Sequence, residues 1–221
     1  MWMSPRLATA VAALLLAAAQ APAQEPTRTY EMRPPAGSAY VRAVDLSHSG
    51  AMIGFGAGSA VAAAAGEPAT IYRIVKGDEV LPLALAGKPV SGKVVPPADA
   101  FSTIVIGIDG AALLIADPPT GADNLKAQLR FYNLVPGCTG ALAAQDGPAL
   151  FEGVAPNATS QRAIPPTDGL LVATCGDATS GIVKLPPLAV GDHYSLFLMP
   201  APAGVELRGQ RDETEPYRTA N

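Results

Sequence analysis

Charge is scarce in this sequence. Asp, Glu, Lys and Arg make up 15% of 221 residues, against about 25% in an average globular chain. The charges sum to −4, or to −5 without Arg6, so no basic face is on offer to a phosphate backbone and a nucleic-acid partner is not expected. Histidine occurs only as His48 and His193, with no companion ligand at i+2 or i+4, which argues against a zinc site. Neither Gly-Asp-Ser, nor Gly-x-Ser-x-Gly, nor a phosphate-binding loop occurs. The esterase chemistry that "DLSH" (Asp45, His48) brings to mind therefore lacks a nucleophile in its usual setting. The nearest serine context, "GAGS" ending at Ser59, reads as a turn, and Asp45 with His48 as a strand end followed by a polar turn. Aromatics number 12 (1 Trp, 6 Tyr, 5 Phe), few for a surface that stacks on sugar rings. Adjacent acids, Asp78 with Glu79 and Asp212 with Glu213, read as solvated surface charges rather than a converging pair.

Long apolar runs are missing too. The longest, Leu7 to Ala19, is about 13 residues, short of the ~20 a spanning helix needs. It follows Arg6 and precedes "APAQ", with Ala21 and Ala23 at the small-residue positions, which is the layout of a cleaved signal peptide over 1–23. The chain is accordingly expected to be exported and not membrane-spanning. Only two cysteines occur, Cys138 and Cys175. In an exported protein such a pair is expected to be a disulfide, and the 37-position loop it closes would contribute ~3–4 kcal/mol by chain-entropy reasoning.

What the chain has in abundance is Gly and Pro, 22 of each. Proline removes a backbone donor and glycine raises the entropy lost on folding, so helices are disfavoured and many turns are expected. Short period-two segments recur about every ten residues: "SAYVRAVDLS", "AMIGFG", "ATIYRIV", "EVLPLAL", "KPVSGKVV" and "FSTIVIGID". A second series follows, "KAQLRFYNLV", "CTGALAA", "ALFEGV", "GLLVATCG", "SGIVKLPPL" and "HYSLFLMP". The opening strands "AYVRAVDL" and "AQLRFYNL" share Ala, Arg, an acid or its amide, and Leu in one frame. Their arginines, Arg42 and Arg130, are 88 residues apart, and the proline pairs starting at Pro96 and Pro186 are 90 apart. Two markers in one order predict a doubled module.

The expected fold is all-β, with two tandem Ig-like β-sandwich domains after the leader. An extended polar segment (24–36) leads to a first sandwich (37–116), a linker (117–124), a second sandwich (125–207) and a polar, solvated tail (208–221). The Ala-rich "GSAVAAAAGEP" reads as a loop. In "SQRAIPP", Gln161 and Arg162 stand out, because an exposed Arg can grip a carboxylate with two parallel bonds. Arg42, Arg130, Gln161 and Arg162 are the candidate interaction residues. No catalytic, metal-binding or cofactor-binding residue is assigned.

Three stretches, "PPAGSAYVRAVDL", "LKAQLRFYNL" and "ATSQRAIPP", together resemble the AlgF family of alginate O-acetylation proteins, in which a "GSAFVRV" start and a "KALVRVQNL"-like second start recur. The resemblance runs from about Pro34 to Met199. It implies a periplasmic, non-catalytic adaptor of two β-sandwich domains in exopolysaccharide O-acetylation. Its partners would be membrane-bound O-acyltransferase machinery and periplasmic SGNH-type acetyltransferases, with the polysaccharide as a further partner. The two cysteines and the Gly/Ala-rich 54–68 stretch depart from that pattern and leave the polymer open. The alternative is a carbohydrate-binding module that holds the polymer itself.

Overall fold

The computed structural model describes residues 33–119 and 125–217; the leader and most of 24–36 lie outside the described residues. The described residues are all-β. The first half contains β1 (Ser38–Asp45), β2 (Ile53–Phe55), β3 (Arg73–Lys76), β4 (Leu83–Leu85), β5 (Lys88–Pro89), β6 (Phe101–Ile106) and β7 (Ala112–Ala116). The second half opens with β8 (Ala127–Asn133), β9 (Gly140–Ala144), β10 (Ala149–Val154) and β11 (Ala158–Ile164). It closes with β12 (Gly169–Cys175), β13 (Ala178–Thr179), β14 (Val183–Leu185), β15 (His193–Ala201) and β16 (Gly204–Arg211).

Each half builds a four-stranded sheet, the larger by residues in its strands, and a facing sheet of three strands in the first half and five in the second. The large sheets have the orders β3-β1-β6-β7 and β11-β8-β15-β16, equivalent strand for strand. Both are mixed. Their central pairs, β1 with β6 and β8 with β15, are parallel, and their outer strands are antiparallel. A parallel pair needs a long crossover, and here the crossover supplies the facing sheet: β2-β4-β5 in the first half, β10-β9-β12-β13 with β14 also on β12 in the second.

Period two explains why the central strands are buried on both faces. On β1, Ala39, Val41 and Ala43 enter a core with Ile53, Phe55, Leu83, Val94, Ile104 and Ile106. The alternate residues, Tyr40, Arg42 and Val44, point away from that core. On β8, Ala127, Leu129 and Phe131 join the core of the second sandwich, while Gln128, Arg130 and Tyr132 point away. The outward faces meet: Val44, Leu46, Ala69, Val105 and Ile115 pack in one cluster with Tyr132, Leu134, Phe197 and Met199. The two large sheets thus lie against each other, with a smaller sheet outside each.

Four strands fall outside the segments expected from the sequence: β7, β11, β13 and β16. β7, "ALLIA", does not alternate, because its residues contribute to clusters on both sides of the sheet. β16 carries polar residues along its length, and the boundary expected between second sandwich (125–207) and solvated tail (208–221) falls inside it. It instead pairs with β15 from Tyr194↔Arg211 to Ala201↔Gly204. Its Gly209 seats the Tyr194 ring, where an added Cβ would stand 2.6 Å from ring atoms. The expectation of a solvated tail fails further on as well. Asp212 and Thr214 are buried, Tyr72 and Thr214 form a parallel bridge, and Arg73 pairs with Glu215 at 2.7 Å. The segment straps the second half onto the first.

Candidate functional site

The densest polar chemistry among the described residues lies inside, where the large sheets meet. Arg42 on β1 is fully buried. Its Nε donates to Thr103 Oγ1 (3.0 Å), Nη1 to Asp212 Oδ1 (2.7 Å), and Nη2 to Tyr132 Oη and Ser195 Oγ (both 2.8 Å). The guanidinium carbon stands 4.5 Å from the Tyr72 ring centroid, 5.1 Å from Tyr132 and 4.9 Å from Phe197. Burial works against this charge, but Asp212 opposite it holds the Arg42 pKa above the ordinary value.

Arg130 is equally enclosed. Nε donates to Gln161 Oε1 (2.8 Å), Nη1 to Tyr72 Oη (3.3 Å) and Asp212 Oδ2 (3.4 Å), and Nη2 to the Pro118 carbonyl (3.2 Å). Asp117 accepts from Tyr72 Oη (2.7 Å), Tyr132 Oη (2.8 Å) and Thr103 Oγ1 (3.0 Å). Burial pushes the Asp212 carboxyl up, but Arg42 and then Arg130 more than offset this, so it is held below the usual carboxylate value. Burial drives both tyrosine hydroxyls upward. Two guanidinium groups and two carboxylates balance in charge, which is what permits them to leave water together.

The arrangement follows the doubled plan. Arg42 is in register with Thr103, and Arg130 with Ser195. Asp117 follows the last residue of β7 and Asp212 the last residue of β16. Each half therefore contributes arginine, hydroxyl and carboxylate from equivalent places. Sequence reasoning named Arg42 and Arg130 but cast them as interaction residues; both are interior, and their partners are within the chain. It placed Asp117 in a linker and Asp212 among surface charges, whereas both are buried.

The other candidates fall elsewhere. Gln161 is half-buried and closes the rim over Arg130, while Arg162 is exposed and donates to the Leu150 carbonyl at 3.3 Å. Asp45 accepts hydrogen bonds from the hydroxyls and amides of Ser47 and Ser49, which shape the turn after β1. His48 turns instead to Glu206 of β16, 3.3 Å away. Both line a groove of about 410 Å³ under residues 63–68, a segment held down by Arg208 Nη2 donating to the Gly66 carbonyl. Exposed Ser59 is not among the groove residues. No group of three or more metal-ligating side chains occurs among the described residues. Asp78 accepts from the Ala98 amide at 3.1 Å and Glu79 pairs with Lys76, both at the surface. His193, at the start of β15, is pushed down to about 4, first by burial and then by the Arg130 charge.

Cys138 and Cys175 form a disulfide, with their Cα atoms 5.6 Å apart, tying the entry to β9 onto the end of β12. Disulfides persist in oxidising compartments, so the chain matures outside the cytoplasm. No helix among the described residues is long and apolar enough to cross a membrane.

No protein-family model matches the chain, and no curated protein matches it. Among solved structures, the C-terminal domain of AlgF from P. aeruginosa is similar over 39% of this chain and 98% of its own, at 23% identity and a TM-score of 0.34. The CBM26 module CBMbc of Eubacterium rectale Amy13K, solved with maltoheptaose, is similar over 81% of this chain and 98% of its own, at 12% identity and a TM-score of 0.25. Similarities this loose assign neither fold nor role; the architecture stands on its own strand pairing.

Proposed function

We propose that the protein is a non-catalytic adaptor in the O-acetylation of an alginate-like exopolysaccharide. It would act in the periplasm, between membrane-bound O-acyltransferase machinery and an SGNH-type acetyltransferase. One observation carries the reading. The passages behind the family resemblance, "AYVRAVDL" and "AQLRFYNL", form the equivalent central strands β1 and β8, and their arginines close one junction between the halves. The shared residues thus serve to hold two sandwiches as one body. Such a body presents loops and strand edges to partners, as contact proteins do.

The alternative, a module that grips the polymer, draws less support. Of the ten aromatic side chains among the described residues, nine are buried, and only Tyr217 is exposed as a sugar platform would require. The test is genetic and biochemical. Deletion of the gene should abolish acetylation of the secreted polymer while its synthesis continues, and the tagged protein should co-purify with an acetyltransferase. Normal acetylation in the deletion strain overturns the proposal.

A further inference from the structure

We infer that one end of the second sandwich is a docking groove for an extended peptide of a partner protein, one carrying a large apolar side chain and, two residues along, a carboxylate. The inference names one contact of the proposed adaptor and rests on that reading only for the partner's existence.

The groove has a volume of about 390 Å³ and opens where the two sheets of this half part. Leu150, Ile164, Leu171 and Leu185 form its floor, and Leu170 and Pro166 its wall. Leu170 is 46% exposed, an apolar side chain left half in water. Arg162 stands on the rim. Among the described residues it forms no ion pair, and its one hydrogen bond there, to Leu150, leaves four of its five N–H donors without an acceptor among them. Asp168, also on the rim, forms no ion pair with it. A guanidinium beside an apolar hollow is complementary to a carboxylate attached to an apolar group.

The backbone specifies the shape of the ligand. β11 pairs with β8 on one side from Ala158↔Asn133 to Ile164↔Ala127, and no strand among the described residues pairs with its other edge. Among the described residues β10 likewise pairs only with β9. An extended segment can therefore add to β11 through main-chain hydrogen bonds. Ile164 and Arg162 are two residues apart and so share one face of β11. An antiparallel ligand strand places residue i over Ile164 and the groove and residue i+2 opposite Arg162. That fixes the spacing in the proposed motif.

The test pans a phage-displayed library of random 12-residue peptides on the intact mature protein. Selected peptides should be enriched in Leu, Ile, Val or Phe two residues before Asp or Glu. Binding should fall at least tenfold on Arg162→Glu and also on Leu170→Asn, the latter without loss of the preference for the acid. Both side chains are exposed, and unchanged thermal midpoints will show that the variants fold. In the 15N-labelled protein, a selected peptide should shift the amides of 160–164 and 169–171. The inference is overturned if no peptide is selected, if the acid is not enriched, if Arg162→Glu binds equally well, or if the shifts map elsewhere. It is equally overturned if the same amides shift with protein concentration alone, because the occupant is then a second copy of the chain. None of these outcomes touches polymer acetylation in the deletion strain, so the failure of either idea can be told from the failure of the other.

Discussion

The two halves share a strand order but not a division of labour. Arg42 is held by four hydrogen bonds and three aromatic rings, whereas Arg130 reaches outward to Gln161 and the Pro118 carbonyl. Asp212 serves both arginines, while Asp117 accepts only from hydroxyl groups. The turns diverge as well. Asp45, an acceptor only, gathers two serines, while Asn133 in the equivalent place donates to the carbonyls of Cys138 and Val154 at 2.8 and 2.9 Å. The second half has a disulfide and the first has none among its described residues. The first half is braced instead by the chain's last described residues. A doubled module has kept its polar quartet while losing its symmetry, so neither half is complete without the other.

The largest expected effect tests the unequal carboxylates. Asp212→Asn leaves Arg42 buried with no full counter-charge and should destabilise the protein by about 3–5 kcal/mol. Asp117→Asn, whose partners are neutral hydroxyls, should cost clearly less. Urea denaturation of both variants measures the difference, and equal losses would show the quartet to be energetically symmetric. Next comes the covalent asymmetry: changing both Cys138 and Cys175 to Ser should cost ~3–4 kcal/mol, and a similar gain from a disulfide engineered across the first half would indicate that its strap is the weaker brace.

A smaller effect concerns acid. His193 is depressed from 6.5 to about 4 in the fold. In that window the unfolded chain binds the extra proton, so stability is complete above pH 6.5 and falls as pH drops toward 4, by at most about 1.4 kcal/mol per pH unit. His193→Gln should flatten that slope, and an unchanged slope would place the acid sensitivity elsewhere. The smallest effect is none. A protease site inserted within 120–124 and then cut should leave the halves eluting together in size-exclusion chromatography, because the junction and not the connector joins them.

Much of the fold was legible because period two and a repeated frame act locally. β1, β6, β8 and β15 could be recognised from their own residues, and Arg42 with Arg130 from the frame they share. The junction was not legible, because its meaning arises where distant segments meet. Asp117 follows a strand whose residues serve both faces of its sheet, and Asp212 follows one that looks like surface. One signal was available: once the chain is folded onto its own repeat, the two aspartates fall in the same place. Tyr72 had no such signal, since its role depends on packing across the halves.

The bond from Arg42 to Asp212 joins residues separated by 170 positions, with a consequence for a chain that emerges from its N-terminus. Until residue 212 has been made, the Arg42 guanidinium lacks the carboxylate that it contacts directly in the fold, and Asp117 is the one carboxylate of the cluster already in place. A polypeptide cut short before Asp212 leaves both buried arginines one carboxylate short, so limited proteolysis should digest it faster than the longer chain.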